Sequence, residues 1–178
     1  MPIPDLQSQK KDWINSSPLS INQLRGKIIL LDFFNYSNIN SVRTFPAIKR
    51  IWQRYSGFGV YVIGIHSPEF DFERDLKNVE KAVKRHDLTY PIVLDSEHLN
   101  QQAYETTSSP HVVLINPQGQ IILTHSGEQG YDKIEATIIS ELKKLNQQVI
   151  HKIEPESKHF ASPETTPELY TGLNRSNF

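Results

Sequence analysis

The order of apolar and helical segments predicts an α/β fold, with a central mixed β-sheet and helices on both faces. Two continuous apolar runs, KIILLDFF (27–34) and GVYVIGIHS (59–67), are typical of strands that are buried on both sides. A Pro–Gly turn separates HVVLI (111–115) from QIILTHSG (120–127), which predicts a β-hairpin. Strands joined through helices pair in parallel and hairpin strands pair antiparallel, so the sheet should be mixed.

The composition limits the kinds of function that the chain can have. Its 178 residues suffice for one domain with a hydrophobic core. The formal net charge is −1 and no basic stripe with interleaved aromatic residues occurs, so we expect no nucleic-acid partner. With no cysteine, the chain has no disulfide, no thiolate metal ligand and no cysteine nucleophile. No apolar window is long enough to cross a membrane, and MPIPDLQSQKKDW lacks the apolar core of a signal peptide.

The first half of the chain divides at its Gly and Pro residues. Residues 1–12 are polar and read as a loosely held extension, and NSSPLSINQLRG (15–26) predicts a turn and a short helical piece that ends at Gly26. After the first apolar run we expect a helix from Ile39 to Tyr55, kinked at its internal proline. Its apolar stripe consists of Val42, Phe45, Ile48, Ile51 and Trp52.

The second half alternates helical and extended patterns. Residues 69–87 carry Leu76, Val79 and Val83 at helical spacing, YPIVLD (90–95) is a short extended piece, and EHLNQQAYE (97–105) a short helix. The last helix is YDKIEATIISELKKLNQ (131–147). Beyond it, residues 148–178 are rich in Pro, Ser, Thr and Glu without periodicity. We therefore divide the chain into an extension (1–12), a domain (13–147) and a tail or the start of a C-terminal domain (148–178).

The turn between the first strand and the first helix carries the spacing of a known active site. Asn38 suits a helix N-cap, and Ser41 stands five residues before Pro46. Asp32 precedes Asn38 by six residues, inside the apolar run, and Pro110 precedes HVVLI. This arrangement resembles the thioredoxin fold, in which two cysteines occupy the positions of Asn38 and Ser41. The resemblance implies a cis peptide bond at Pro110 beside that site.

Within the thioredoxin fold, the sequence resembles one family in particular. Tyr36-Ser37-Asn38-Ile39-Asn40-Ser41 resembles the Tyr-Ser-Cys-Ile-Asn-Cys stretch of DipZ-type cytochrome c biogenesis and thiol–disulfide exchange proteins, which are redoxin or TlpA-like. The resemblance covers roughly residues 12–146, and it extends more distantly to the thioredoxin-like domain that precedes NHL repeats in larger proteins. Tail residues 162–178 also resemble the opening of a further C-terminal domain. The chain is therefore interpreted as a piece of something longer.

With both cysteines replaced, the resemblance implies a degenerate catalytic site. Neither an amide nor an unactivated hydroxyl can perform thiol–disulfide exchange. Asp32 loses its role as the proton acceptor of the second cysteine, and a buried carboxyl group without a partner should have a raised pKa. The surface that would bind an extended peptide needs no thiol. Its predicted residues are Tyr36, Asn38, Ile39, Asn40, Ser41, Ser109, Pro110 and His111, with Ser109 where DipZ-type relatives often have Trp.

Metals and cofactors find no support in the sequence. The seven histidines show no short spacing on one helical turn, and no zinc motif with glutamate occurs. His66 and His111 could both approach one edge of the sheet, but two such residues do not make a metal site. We predict no metal and no cofactor.

Three functional interpretations follow from these residues. The first is a redox-inactive thioredoxin-like domain that binds an extended peptide, a partner protein or its own C-terminal domain, or that serves as a structural module. The second is a thiol–disulfide oxidoreductase whose cysteines at positions 38 and 41 were removed by engineering. The third is a thiol-independent enzyme with Asp32 as general base. The family resemblance implies an extracytoplasmic, periplasmic location.

Overall fold

A computed structural model describes residues 3–145, and these form one six-stranded mixed sheet. The strand order is β1-β4-β3-β2-β5-β6. Strands β2, β3 and β4 run parallel, β5 pairs antiparallel with β2 and with β6, and β1 pairs antiparallel with β4. The predicted mixed sheet and hairpin are confirmed. The strands are β1 Trp13–Ile14, β2 Ile28–Phe34, β3 Val60–His66, β4 Ile92–Leu94, β5 His111–Ile115 and β6 Ile121–Ser126.

Helices cover both faces of the sheet, as the sequence predicts. All seven residues of β2 are buried, and their side chains alternate between two hydrophobic clusters. One cluster packs against α1, α2 and α4, and the other against α3 and the N-terminal segment. The helices are α1 Ile39–Tyr55, α2 Leu76–Arg85, α3 Leu99–Ala103 and α4 Tyr131–Leu145.

Helix α1 has the predicted bounds and the predicted apolar face. Phe45, Ile48 and Ile51 are buried in the core, and Val42 and Trp52 pack against it while partly exposed. The centre of the sheet beneath this helix is tightly filled. A Cβ atom added at Gly64 in β3 would lie 3.0 Å from ring atoms of two aromatic side chains, Phe34 and Tyr90.

One local prediction fails where the chain forms turns instead of helix, and a second predicted helix occupies only part of its pattern. Residues 20–26 form consecutive hydrogen-bonded turns, with no helix, and Gly26 ends them with a φ of +83°. In the helical pattern of 69–87, α2 begins only at Leu76, because Asp75 caps its amino end and accepts a hydrogen bond from the Lys77 amide at 2.9 Å. Residues 69–74 form a loop with a short 3-10 turn at Asp71–Glu73.

The expectation that the N-terminal extension is loosely held is wrong. Ile3 and Leu6 pack against the second hydrophobic cluster. The Asp5 carboxylate accepts hydrogen bonds from the Ser20 hydroxyl at 2.6 Å and from the Ile21 amide at 2.7 Å. The Tyr104 hydroxyl donates to the carbonyl of residue 4 at 2.6 Å. Although the segment is mostly polar, its two apolar residues, Ile3 and Leu6, and the carboxylate of Asp5 together hold it on the sheet.

The predicted tail, 148–178, lies outside the described residues, so the proposed boundaries of the domain stay predictions. Within residues 3–145, no helix is long and apolar enough to span a membrane.

Candidate functional site

The turn between β2 and α1 is ordered by its own polar side chains. Asn38 is the N-cap of α1, and its side-chain oxygen accepts a hydrogen bond from the Asn40 amide at 2.9 Å, which confirms the predicted cap. Ser41 is fully buried, and its hydroxyl accepts from the Asn35 amide at 3.2 Å. Ser41 therefore supports the turn from inside and offers no surface to a partner.

The Ser109–Pro110 segment lies beside this turn. Its peptide bond is cis, as predicted, and β5 follows at once, paired with β2 so that His111 lies opposite Phe33. The Asn38 side-chain amide donates a hydrogen bond to the Ser109 carbonyl at 3.3 Å. The two segments that hold the eight predicted binding residues thus meet at one edge of the sheet.

These binding residues differ in how much of them a partner could reach. Ile39 is 59% exposed at the start of α1, and Asn40 beside it is exposed as well. Pro110 is buried and shapes the site from below. His111 is partly exposed, and its Nδ1 lies 2.7 Å from the Ser126 hydroxyl of β6. The reachable surface is therefore formed by the start of α1 and by the backbone around Ser109.

Asp32 is buried in β2, and within residues 3–145 neither of its carboxylate oxygens has a hydrogen bond of normal geometry. Burial raises its pKa to about 7, although the nearby Tyr90 hydroxyl, acting as a hydrogen-bond donor, partly offsets that rise. Burial also raises the pKa of Tyr90 well above its ordinary value, and the charge of Asp32 raises it further. The predicted rise in the pKa of Asp32 is confirmed.

Sequence reasoning missed Glu73, a buried carboxylate that joins the site to the loop after β3. It accepts hydrogen bonds from the Asn35 side-chain amide at 2.8 Å, from the Ser37 hydroxyl, and from the amides of Glu69 at 2.6 Å and Phe70 at 2.9 Å. Burial alone would raise the pKa of Glu73, but these hydrogen bonds together hold it below its ordinary value. In the sequence, Glu73 resembles any exposed acidic residue in a charged helical pattern.

His66, at the end of β3, is the second residue that sequence reasoning left without a role. Its ring stacks on Tyr36, with ring centroids 5.2 Å apart and an interplanar angle of 19°. Burial lowers the pKa of His66 to about 4, so the imidazole is neutral at pH 7. Among residues 3–145 no group of three His, Cys, Asp or Glu side chains could hold a metal ion.

Comparison with known proteins identifies the family to which this site belongs. A family model described as AhpC/TSA family matches residues 1–124, well over half of the chain. The chain belongs to the AhpC/TSA family. Its thioredoxin-like domain is homologous to DipZ, as the sequence motif indicated.

Two curated relatives and one solved structure show what this AhpC/TSA-family chain is similar to. DipZ of Mycobacterium tuberculosis is 32% identical over 172 residues, which are 92% of this chain and 24% of DipZ. Human NHL repeat-containing protein 2 is 35% identical over 126 residues, 69% of this chain and 17% of that protein. The structure of a putative thiol:disulfide interchange protein DsbE from Chlorobium tepidum has a TM-score of 0.68, with 19% identity, and covers 79% of this chain and 95% of that one.

These likenesses confirm the thioredoxin-like fold. The chain is also homologous to the thiol-disulfide oxidoreductase YkuV of Bacillus subtilis, which is 23% identical over 137 residues, 77% of this chain and 91% of that protein. The chain spans no more than about a quarter of the length of DipZ and of NHL repeat-containing protein 2. In this AhpC/TSA-family domain the helix start, the cis-proline and the buried aspartate are all present, but the chain contains no cysteine. The absence of thiols is consistent with a redox-inactive domain, because neither Asn38 nor Ser41 can form or break a disulfide.

Proposed function

We propose that this AhpC/TSA-family domain is a redox-inactive binding module that holds an extended segment of a partner protein across α1 and Ser109–His111. The observation that carries the proposal is the retained geometry of a site without nucleophiles. The capped helix start lies against the Ser109 carbonyl, next to a cis-proline. Extended peptides are recognised mainly by main-chain hydrogen bonds, which need no thiol.

The Asn38 contact gives this site a defined acceptor. The Ser109 carbonyl accepts a hydrogen bond from the Asn38 side-chain amide at 3.3 Å, slightly longer than a typical N–H···O hydrogen bond. A peptide amide that replaces this contact would release the Asn38 amide to the solvent or to the incoming chain. We propose as occupants an extended segment of another protein or the C-terminal domain that follows this one in a longer chain. We also propose an extracytoplasmic location, which the resemblance to DipZ-type proteins supports.

The role of Asp32 as a general base gains no support from its surroundings. Its carboxyl group is fully buried, so a substrate on the surface cannot approach it.

The native gene distinguishes a natural binding module from a thiol–disulfide oxidoreductase whose cysteines were removed by engineering. Cysteine codons at positions 38 and 41 would support the engineered oxidoreductase, and any other codons would support the binding module.

Two measurements test the proposal. In an insulin reduction assay with dithiothreitol, we expect the chain to show no activity above buffer. In an NMR titration of the ¹⁵N-labelled chain with extended peptides, we expect shifts at Asn38–Asn40 and Ser109–His111. The exposed residue Ile39 offers a blocking variant, Ile39→Lys, and Ile121, 45% exposed on β6, offers the matched control Ile121→Lys. Binding that survives Ile39→Lys, or the absence of shifts at millimolar peptide, would contradict the proposal.

A further inference from the structure

Three neighbouring aromatic side chains, two of them exposed and one partly buried, form a surface directly beside the site. We call Tyr36, Phe70 and Phe72 the aromatic platform. The rings of Phe70 and Phe72 are stacked, with centroids 5.6 Å apart and an interplanar angle of 6°. The ring of Tyr36 contacts that of Phe72 edge-on, with centroids 6.3 Å apart and an interplanar angle of 67°. Phe70 is 55% and Phe72 52% exposed. Neighbouring exposed aromatic rings of this kind mark binding surfaces more often than single exposed apolar residues do.

The rings of Phe70 and Phe72 are held in place by polar contacts of their loop and not by burial, whereas Tyr36 packs against the hydrophobic core. Glu73 accepts hydrogen bonds from the amides of Glu69 and Phe70, and from side chains of the turn that carries Tyr36. Tyr36 is held from behind by its stacking on His66. The loop is therefore fixed with its rings outward before any partner arrives, which reduces the entropy lost on binding.

The edge of the platform is acidic. Glu69, Asp71 and Asp75 lie in the same loop, and all three are exposed. The one cation of residues 69–75, Arg74, donates to the Ser96 carbonyl at 2.5 Å and also lies 3.9 Å from Asp71. Burial raises the pKa of the Tyr36 phenol, and the charges of Glu73 and Asp75 raise it further, more than Arg85 lowers it. The phenol ring thus lies in a negative potential.

We propose that the aromatic platform binds a cationic extended segment of the partner, with Arg or Lys side chains over the rings of Phe70, Phe72 and Tyr36 and their charged ends beside Asp71 and Asp75. Guanidinium and ammonium groups are attracted to aromatic faces, and carboxylates at the rim add charge-assisted hydrogen bonds. The inference rests on the proposed function, since it names the chemistry of the segment that the neighbouring site holds.

The chain's own tail is a poorer occupant than a cationic partner. Residues 148–178 contain four glutamates against three Lys or Arg residues, so they bring no excess of positive charge to an acidic rim. A peptide of this sequence therefore belongs in the test as a competitor, and stronger binding by it than by a cationic peptide would overturn the inference.

The test uses the full ¹⁵N-labelled chain and a blocked nonapeptide of alternating arginine and alanine. The control peptide replaces each arginine by citrulline, which keeps the shape and removes the charge. We expect shifts at Tyr36 and residues 69–75, affinity that is roughly tenfold weaker for the citrulline peptide, and clear weakening as salt rises from about 20 to about 200 mM.

Variants of the platform locate the binding. Phe70→Ser and Phe72→Ser should each lower the affinity for the arginine peptide severalfold, and Asp71→Asn should lower it less. Phe58→Ser is the matched control, because Phe58 is a 37% exposed phenylalanine in the turn before β3, at the other end of that strand. An unchanged amide spectrum outside the loop shows that each variant is folded.

The outcomes separate this inference from the proposed function. Shifts confined to Asn38–Asn40 and Ser109–His111, or equal binding of the arginine and citrulline peptides, would overturn the inference and leave the proposed function standing. Equal binding by the Phe72→Ser variant would also overturn it. No shifts with any peptide at millimolar concentration would overturn both.

Discussion

Replacing Asp32 by Asn should raise the free energy of unfolding, relative to that of the unchanged chain, by more at pH 8 than at pH 5. Asp32 is fully buried, and its pKa is raised from 3.8 to about 7 by burial. In the unfolded chain the carboxyl group returns to its ordinary value. Folding therefore raises the proton affinity of this group.

The sign and size of the pH effect on stability follow from the difference between the pKa values of Asp32 in the folded and unfolded chain. Below pH 3.8 both states are protonated and Asp32 adds no penalty. Between pH 3.8 and about 7 the unfolded chain is ionised while the folded chain keeps its proton, so stability falls as pH rises. The full penalty above pH 7 is about 4 kcal/mol, of which about 3 kcal/mol develops between pH 5 and pH 8. The Asp32→Asn variant cannot titrate there and escapes this loss.

The assay is urea unfolding at several pH values, followed by the fluorescence of Trp13 and Trp52. The quantity compared is the free energy of unfolding of Asp32→Asn minus that of the unchanged chain. His66, whose pKa is lowered to about 4, makes both proteins lose stability as pH falls below its ordinary value of 6.5, and this contribution cancels in the difference. Asp71→Asn is the control, because the side chain of Asp71 is fully exposed.

We expect the difference to grow by about 3 kcal/mol from pH 5 to pH 8 for Asp32→Asn and to stay flat for Asp71→Asn. A difference for Asp32→Asn that does not change with pH would refute the reasoning. It would mean that the carboxyl group of Asp32 is ionised in the folded protein at pH 5, and that water or Tyr90 solvates it far better than burial suggests.

Four further predictions follow from individual contacts. Gly64→Ala should lower the free energy of unfolding by about 1–3 kcal/mol in urea titrations, because the added Cβ meets two rings at 3.0 Å; an unchanged midpoint would contradict the packing. Asn38→Ala should cost about 1 kcal/mol through loss of the helix cap, while Asn38→Asp keeps the cap and most of the stability. Glu73→Gln should cost about 2 kcal/mol and speed hydrogen exchange at residues 69 and 70, with the exposed Glu97→Gln as control; unchanged exchange would show that the carboxylate does not hold the loop. Asn38→Cys combined with Ser41→Cys should gain insulin reduction, and neither single change should; an inactive double variant that forms the disulfide would show that more than the thiols was lost.

Local signals explain the parts of the fold that the sequence predicts well. The limits of α1 follow from the Asn38 cap and from an apolar stripe at helical spacing, and both act within a few residues. The buried strands β2 and β3 follow from continuous apolar runs. Strand β1 could not be predicted, because its two residues are defined only by pairing with β4, where Trp13 lies opposite Val93. No pattern within two residues carries that information.

The residues of the candidate site also divide into those that the sequence predicts and those that it does not. Asp32, Asn38 and Pro110 were found because their spacing along the chain matches a known motif. Glu73 was missed because its burial depends on Asn35 and Ser37, 38 and 36 residues earlier in the chain. The alternation of Phe70 and Phe72 with acidic residues reads as part of a helical pattern, since the Asp75 cap that delays α2 is only one of several acidic residues there. Contacts between distant segments decided the first case, and a local helix cap decided the second.

The packing of the N-terminal segment also sets an order of events during protein synthesis. The Tyr104 hydroxyl contacts a residue 100 positions earlier, and the Gln7 amide contacts the Asn100 side chain 93 positions later. Residues 4 and 7 therefore wait for α3 to be made before they can take their final place. Until then Ile29, Leu31 and Phe33 lack the cover of α3 on their face of the sheet. A nascent chain stalled after β3 would present this apolar surface to chaperones, whereas a chain released after α3 could bury it.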